Sequence, residues 1–180
     1  MSSTPTSPLS IAIIGAGRIG SAYAYQLARA GHDVTVVARP ESVRLAQLQR
    51  DHGIVTTTGE RANVTVAGHL DEQVPFDLVI VTTLAHQVGP ILPALQRSRA
   101  RCVHFMFVTP EAERLRSAVG PRRATFGMAA VLATLDSDGK LGLRIPRTKS
   151  RQGDQRWIDL FQAAGISTSA TPLSTQEQPS

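Results

Sequence analysis

The sequence is poor in cysteine and in aromatic residues, and both shortages limit what the protein can be. Cys102 is its only cysteine, so no intrachain disulfide can form and a disulfide-stapled fold is excluded. Aromatic residues make up 4% of the chain and do not alternate with basic ones, which argues against a surface that stacks nucleic-acid bases. No apolar run reaches the length of a membrane span, so we expect no membrane-spanning segment.

Acidic residues are also in short supply, because 14 Asp and Glu stand against 19 Lys and Arg. The arginines are scattered, which indicates a solvated basic surface, although part of the charge could attract a polyanionic cofactor. Cys102 lies in an apolar run, so we expect a buried, unreactive thiol. Met1 to Pro8 is rich in Ser, Thr and Pro without an apolar signal-peptide core, and predicts a disordered tail on a cytoplasmic protein.

The centre of the sequence is a glycine turn between a predicted strand and a predicted helix. The apolar residues 11–14 predict a buried strand, and Gly15, Gly17 and Gly20 follow in the G-x-G-x-x-G spacing. Gly15 allows the tight turn, Gly17 lets the backbone approach a pyrophosphate, and Gly20 allows close packing of helix on strand. The free N–H groups of the helix N-terminus favour phosphates, so we expect dinucleotide binding here rather than a turn without a ligand. The remaining cofactor-binding residues of this turn are Ala16, Arg18 and Ile19.

The end of the second predicted strand, residues 34–38, indicates which dinucleotide is preferred. NAD-type folds place an acid here to bond the ribose 2′-hydroxyl, whereas this sequence has Ala38 and Arg39. A guanidinium suits a 2′-phosphate by charge and by geometry, which favours NADP(H) over NAD(H). The alternative is a plain surface arginine before Pro40.

A third buried strand, Asp77 to Thr83, leads into residues that we expect to border the cofactor, since ligands of open α/β sheets lie beyond the carboxyl ends of strands. His86 could act as an acid or base, but a lone histidine at a loop–helix junction is more often a hydrogen-bonding surface residue. The candidate cofactor-binding residues of this segment are Thr82, Thr83, Leu84 and Gln87.

The whole pattern predicts an α/β fold of one domain over residues 9–171: a Rossmann-like, doubly wound, mainly parallel sheet with an antiparallel hairpin at one edge. Further predicted helices span 41–52, 88–96, 156–164 and a segment that starts at Pro110, after Thr109 as N-cap, and runs through Leu115. Further predicted strands are 54–58 paired with 63–67, then 101–108, 124–135 paired with 140–145, and 166–170. Residues 146–154 predict a polar loop, and 172–180 a polar tail.

Taken in order, these motifs resemble the nucleotide-binding half of ketopantoate reductases (2-dehydropantoate 2-reductases), over Leu9 to Thr171. The first two motifs are shared by many Rossmann enzymes, and the combination with Asp77 to Gln87 is more specific. The matching segments are 15–20, 36–39, 77–82, 85–87, Gly127 with 133–135, Gly139 and 163–166.

The resemblance implies a Rossmann domain and NADPH-dependent reduction of ketopantoate to pantoate, in pantothenate biosynthesis. In this family a catalytic lysine follows the third strand, where this chain has Leu84. An asparagine of the family corresponds to about Phe107, and a helical C-terminal domain would follow beyond Ser180. The resemblance therefore extends to the nucleotide half and leaves the catalytic residues unknown.

Three hypotheses follow from the sequence. The chain is an NADP-dependent oxidoreductase completed by another chain, a non-catalytic NADP(H)-binding sensor or partner module, or a degenerate truncated reductase. We expect a homo-oligomer or a helical partner chain, and neither a nucleic acid, a membrane nor a metal as ligand. A neighbouring chain with the helical half would favour the first hypothesis, and tight NADPH binding without turnover the second.

Overall fold

Strands and helices alternate along most of the chain, as apolar runs separated by amphipathic stretches predict. A computed structural model describes residues 7–129, 131–144, 150–152, 155–166 and 168–170. The strands are β1 Ser10–Ile14, β2 Asp33–Val37, β3 Ile54–Val55, β4 Arg61–Ala62, β5 Thr65–Ala67, β6 Leu78–Val81, β7 Val103–Phe105, β8 Ala124–Phe126, β9 Leu132–Leu135, β10 Leu141–Arg144, β11 Ser150–Gln152 and β12 Thr168–Ala170. The helices are α1 Arg18–Arg29, α2 Val43–Asp51, α3 Leu92–Arg97, α4 Ala112–Val119 and α5 Gln155–Ala163, with short 3-10 turns at Ala85–Gln87 and Gly89–Ile91.

Six strands form one parallel sheet in the order β5-β2-β1-β6-β7-β8. The chain starts in the middle at β1, winds outward through β2 to β5, then returns to the other side of β1 at β6. This reversal places the carboxyl end of β1 at the topological switch point, where open α/β sheets bind their ligands. The predicted fold class, a Rossmann-like doubly wound α/β fold, is confirmed.

Helices cover both faces of this sheet, which explains why its strands are apolar on both sides. Successive side chains of a strand point to opposite faces. Ile11 and Ile13 join a core with residues of α1, α2 and α5, whereas Ala12 and Ile14 join a second core with residues of α3 and α4. Trp157, Leu160 and Phe161 of α5 are buried, as is Ala164 directly after the helix.

The antiparallel hairpin β9–β10 is present, but it forms a separate two-stranded sheet instead of extending the edge of the main sheet. Residues 124–135 were predicted as one strand, and this prediction is wrong. β8 ends at Phe126, because its partner strand β7 ends at the paired residue Phe105 and offers no further backbone to pair with. The chain then crosses to α1, where Leu141 of the hairpin lies in the same core as Tyr23 and Leu27.

Two shorter predictions also need correction. The segment 63–67 does not pair with 54–58. Its strand β5 instead adds to the free edge of β2, while β3 pairs with β4. Helix α4 begins at Ala112 rather than Pro110, because the Thr109 hydroxyl accepts the Glu111 N–H at 3.2 Å and closes a local turn before the helix.

The region after the hairpin contains more regular structure than predicted. Strand β11 lies within the predicted loop 146–154 and pairs in parallel with β12. The predicted tail 172–180 and most of the tail 1–8 lie outside the described residues. Cys102 is buried, as predicted, and its thiol lies 3.0 Å from the carbonyl oxygen of Arg123. Across the described ranges, no helix combines the length and apolarity needed to cross a bilayer.

Candidate functional site

Two of the three turn glycines are required by the fold itself. Gly15 has φ +108°, a conformation that L-residues rarely adopt, and a Cβ there would lie 2.6 Å from the Thr82 hydroxyl oxygen. Gly20 is buried in the first turn of α1, where a Cβ would overlap the carbonyl oxygen of Gly15. The roles predicted for these two positions, a tight turn and close helix–strand packing, match this geometry.

Gly17 differs, because neither its backbone conformation nor its surroundings require glycine. It is the N-cap of α1 with φ −74°, it is exposed, and a Cβ would have no heavy atom within 4 Å. No described side chain caps this helix end, so the first N–H groups of α1, including those of Arg18 and Ile19, face an open surface. An open cradle at an uncapped helix N-terminus fits a phosphate group.

Thr82 fastens the glycine turn to the neighbouring strand β6. Its hydroxyl lies 3.0 Å from the carbonyl oxygen of Ile14 and 3.2 Å from that of Gly15, and its N–H donates to Ile14 at 2.9 Å. The single hydroxyl proton is therefore shared between two carbonyls of the turn. Thr82 is one of the predicted cofactor-binding residues. In the structure its side chain holds the glycine turn in place.

Thr83 and Gln87 have different surroundings beyond the same strand. The Thr83 hydroxyl oxygen is shielded from solvent and has no hydrogen-bond partner in the described part of the chain. A shielded polar atom without a partner is costly, which indicates that a ligand could satisfy it. The Gln87 side-chain oxygen accepts the Leu84 N–H at 3.3 Å and closes the 3-10 turn, while the Leu84 side chain is exposed.

Arg39 and the glycine turn both lie at the carboxyl ends of neighbouring strands, β2 and β1. Arg39 follows β2, whose last residue Val37 is paired with Ile14 and accepts the Gly15 N–H at 3.0 Å. The Arg39 side chain is exposed and forms no hydrogen bond or ion pair with another described residue. The structure thus brings the predicted arginine and the predicted turn together, with the guanidinium available to an anion.

Arg44, in the first turn of α2, is a site residue that sequence reasoning missed. Its guanidinium donates to the carbonyl oxygens of Ala16 and Gly139 and to the Ser21 hydroxyl. Burial lowers the pKa of Arg44 from its usual range. An arginine within an amphipathic helix is normally solvated, so nothing in the local sequence distinguishes Arg44.

Three exposed apolar side chains form an apolar edge at the carboxyl ends of β6, β7 and β8. Leu84, Val108 and Met128 each follow one of these neighbouring parallel strands, and their side chains are more than half exposed. Phe107 is half-buried, with its ring 5.7 Å from that of Phe105. His86 is exposed on the 3-10 turn. Among the described residues no cluster of His, Cys, Asp and Glu could hold a metal ion.

A cavity of about 610 Å³ lies at the opposite end of α1, away from the glycine turn. Its polar side chains are hydrogen-bonded to one another: Tyr25 donates to Glu60 at 2.7 Å, and Arg29 donates to both. It contains none of the predicted cofactor-binding residues. We therefore assign the candidate site to the glycine turn and not to this cavity.

A family model matches a range that includes the glycine turn and Arg39. The family model described as "Ketopantoate reductase PanE/ApbA" matches residues 11–149, which is most of the chain. No curated protein matches the chain.

Several solved structures share the fold. A 2-dehydropantoate 2-reductase from Porphyromonas gingivalis W83 has a TM-score of 0.73 and 20% identity over 93% of this chain and 65% of its own. The 2-dehydropantoate 2-reductase from Geobacter metallireducens GS-15 has a TM-score of 0.70 and 21% identity over 89% of this chain and 57% of its own. A D-mandelate dehydrogenase in complex with NADH has a TM-score of 0.69 and 19% identity over 91% of this chain and 55% of its own. The present chain thus spans less than two thirds of each of these proteins, and by its family match it belongs to the ketopantoate reductase PanE/ApbA family.

Proposed function

We propose that the chain binds a nicotinamide dinucleotide at the glycine turn and prefers NADP(H). The observation that carries this proposal is the exposed Gly17 at the uncapped N-terminus of α1, at the switch point of the sheet. The pyrophosphate would lie against the N–H groups of this turn. The unpartnered Thr83 hydroxyl lies beyond the neighbouring strand, where the rest of the dinucleotide would extend.

The preference for NADP(H) rests on Arg39. Its guanidinium is exposed and unpaired among the described residues, at the end of β2 where NAD-type sites carry an acid. A charge-assisted hydrogen bond contributes about 1.5–3 kcal/mol, which corresponds to about ten- to hundredfold in affinity. The 2′-phosphate of NADPH offers this bond, and NADH lacks it.

Titration of the purified protein with NADPH and NADH tests both statements. We expect Gly17→Val to abolish binding of both dinucleotides while the protein stays folded, because a side chain there blocks the approach of the pyrophosphate. Arg39→Ala should weaken NADPH about ten- to hundredfold and leave NADH nearly unchanged. Arg99→Ala is the matched control. Arg99 is also exposed, but it precedes β7 and so lies at the amino ends of the strands, away from the glycine turn. Equal wild-type affinities for the two dinucleotides, or normal binding by a folded Gly17→Val variant, would contradict the proposal.

For the reaction, we propose that the chain supplies the nucleotide half of a reductase of 2-keto acids such as ketopantoate. When bound, the dinucleotide would supply the hydride, and this chain would bind and orient it. Hydride transfer to a carbonyl also requires a proton donor near the developing alkoxide. Leu84 and Phe107 stand where the family resemblance implies the lysine and the asparagine, so a second chain would complete the site.

The second candidate is a non-catalytic NADP(H)-binding sensor or partner module, and it is favoured by the apolar Leu84 and Phe107 at the positions where the resemblance implies a lysine and an asparagine. A degenerate reductase would expose the apolar side chains of Leu84, Val108 and Met128 without a partner to cover them. Tight NADPH binding by an assembly that shows no turnover would support the sensor, whereas poor solubility of the purified chain would support the degenerate product.

We propose a cytoplasmic location and an association through this apolar edge, with a second copy or with a helical partner chain. Large apolar side chains grouped at one edge are commonly covered by a partner. Sedimentation of the purified protein at high concentration tests this association.

A further inference from the structure

The strongest unassigned feature of the molecule is a hydrogen-bonded triangle behind the glycine turn. Arg44 Nε donates to the Ala16 carbonyl oxygen at 3.0 Å, and another guanidinium nitrogen donates to the Ser21 hydroxyl at 3.0 Å. The Ser21 hydroxyl in turn donates to the same Ala16 carbonyl at 3.2 Å. Ser21 is fully buried, so the triangle is closed to solvent on the side of α1.

We propose that Arg44 is a positioning residue for the dinucleotide, because it fixes the peptide that presents the Gly17 N–H. This inference rests on the proposed function of the glycine turn. The peptide between Ala16 and Gly17 is planar and trans, so its C=O and N–H point in opposite directions. Two donors hold the Ala16 oxygen inward, toward Arg44 and Ser21. The Gly17 N–H is therefore held outward, on the exposed side where the pyrophosphate would lie.

The positive charge of Arg44 also supports a role in dinucleotide binding. No described carboxylate lies within ion-pair distance of its guanidinium, whose three hydrogen bonds all go to neutral oxygens, and Asp51 acts on it only at longer range. A partly buried positive charge behind the turn adds to the positive end of the α1 dipole. Arg44 should therefore favour an anion at the turn without touching it.

A guanidinium suits this role because it forms bonds in three fixed directions, and lysine cannot reproduce that fork. The third bond, to Gly139 at 2.8 Å, ties the turn of the β9–β10 hairpin to the same residue. A purely structural role would therefore be to hold the hairpin. Arg50 serves as the matched control for that alternative. It lies on the same helix and donates to the Asp138 carbonyl oxygen in the same hairpin turn at 3.0 Å, whereas its other hydrogen bonds go to Asp51 and none goes to the glycine turn.

The test is titration of wild type, Arg44→Gln, Arg44→Lys and Arg50→Gln with NADPH and NADH, with thermal unfolding of each variant. We expect Arg44→Gln and Arg44→Lys to weaken both dinucleotides by about tenfold or more and by the same factor, because both share the pyrophosphate. Arg50→Gln should stay within about twofold of wild type. An equal loss of affinity for both dinucleotides distinguishes Arg44 from a residue that contacts the 2′-phosphate, because loss of such a residue would weaken NADPH alone.

Ser21→Ala provides a second variant if Arg44→Gln does not fold, since it removes one hydroxyl from the triangle and should also weaken both dinucleotides equally. Wild-type affinity in a folded Arg44→Gln or Ser21→Ala variant would overturn the inference. So would an equal loss in Arg50→Gln. If wild type binds neither dinucleotide, the proposed function itself fails, and the inference falls with it.

Discussion

Replacement of Gly20 by alanine should destabilise the fold, although alanine is the better helix former. Gly20 is buried in the first turn of α1. A Cβ there would overlap the Gly15 carbonyl oxygen and would lie 2.8 Å from the Thr82 hydroxyl oxygen and 2.9 Å from the Gly15 carbonyl carbon. Ordinary contacts of a Cβ are 3.4–4 Å, so the turn and the helix must move apart by more than about one ångström.

The magnitude follows from two opposing effects. Alanine gains up to about 1 kcal/mol over glycine in helix propensity. Overpacking typically costs about 1–3 kcal/mol, and here the cost lies at or above the upper end, because the obstructing atoms belong to the backbone and cannot rotate away. We therefore expect a net loss of about 2 kcal/mol. For a domain of this size that corresponds to a decrease in Tm of about 4–8 °C.

Urea unfolding followed by the fluorescence of Trp157 measures this loss. Trp157 is the only tryptophan and is buried, so its emission reports the folded core. Gly17→Ala is the matched control: the same substitution, three residues earlier, enters open space at φ −74° and should cost no more than about 1 kcal/mol, from the poorer N-cap alone. A Gly20→Ala variant as stable as wild type would refute the reasoning, as would equal losses at both positions.

Two further predictions concern acid stability and association. Hydrogen bonds from Arg50, opposed by desolvation and aided by Lys140, lower the pKa of Asp51 from 3.8 to about 2. A lowered pKa stabilises the fold above pH 3.8, and this contribution is lost as the pH falls toward 2. Asp51→Asn should therefore lower the unfolding free energy by about 1–2 kcal/mol at pH 7, after allowance for solvent screening, with a smaller difference at pH 3 in urea titrations. For association, sedimentation velocity should show a dimer or larger species at high concentration, and Val108→Ser, at the exposed edge, should shift it toward monomer. A pH-independent Asp51 difference, or a strictly monomeric wild type, would contradict these expectations.

The glycine turn could be predicted from sequence because all its information is local. A buried strand, three glycines at fixed spacing and an amphipathic helix follow one another within about twenty residues, and each step has one physical explanation. The parallel sheet follows from the same alternation of strands and helices. Arg39 could be located as well, because it directly follows a strand whose carboxyl end must lie at the binding edge.

Arg44 could not be predicted, because its bonds are long-range: Ala16 is 28 residues away and Gly139 is 95 residues away. No local pattern distinguishes an arginine that reaches a backbone carbonyl from one that faces water. The position of the β9–β10 hairpin, outside the main sheet, could not be predicted for a related reason. Residues 124–135 are mostly apolar, and only tertiary contacts decide that β8 stays in the main sheet while β9 crosses to α1.

The last prediction is that this chain alone does not reduce ketopantoate at a useful rate. Leu84 and Phe107 cannot donate a proton or stabilise an alkoxide, and loss of one such group typically costs about 10²–10³ in rate. His86 is the nearest titratable side chain on that turn and is exposed to solvent.

Leu84→Lys alone should not restore activity, because an isolated charge on an exposed 3-10 turn does not orient the substrate. The assay follows NADPH oxidation with ketopantoate, for the chain alone and with a separately supplied helical domain of a relative. Gly17→Val is the control for background oxidation. Robust turnover by the isolated chain that disappears in Gly17→Val would refute the prediction and would place the proton donor elsewhere on the molecule.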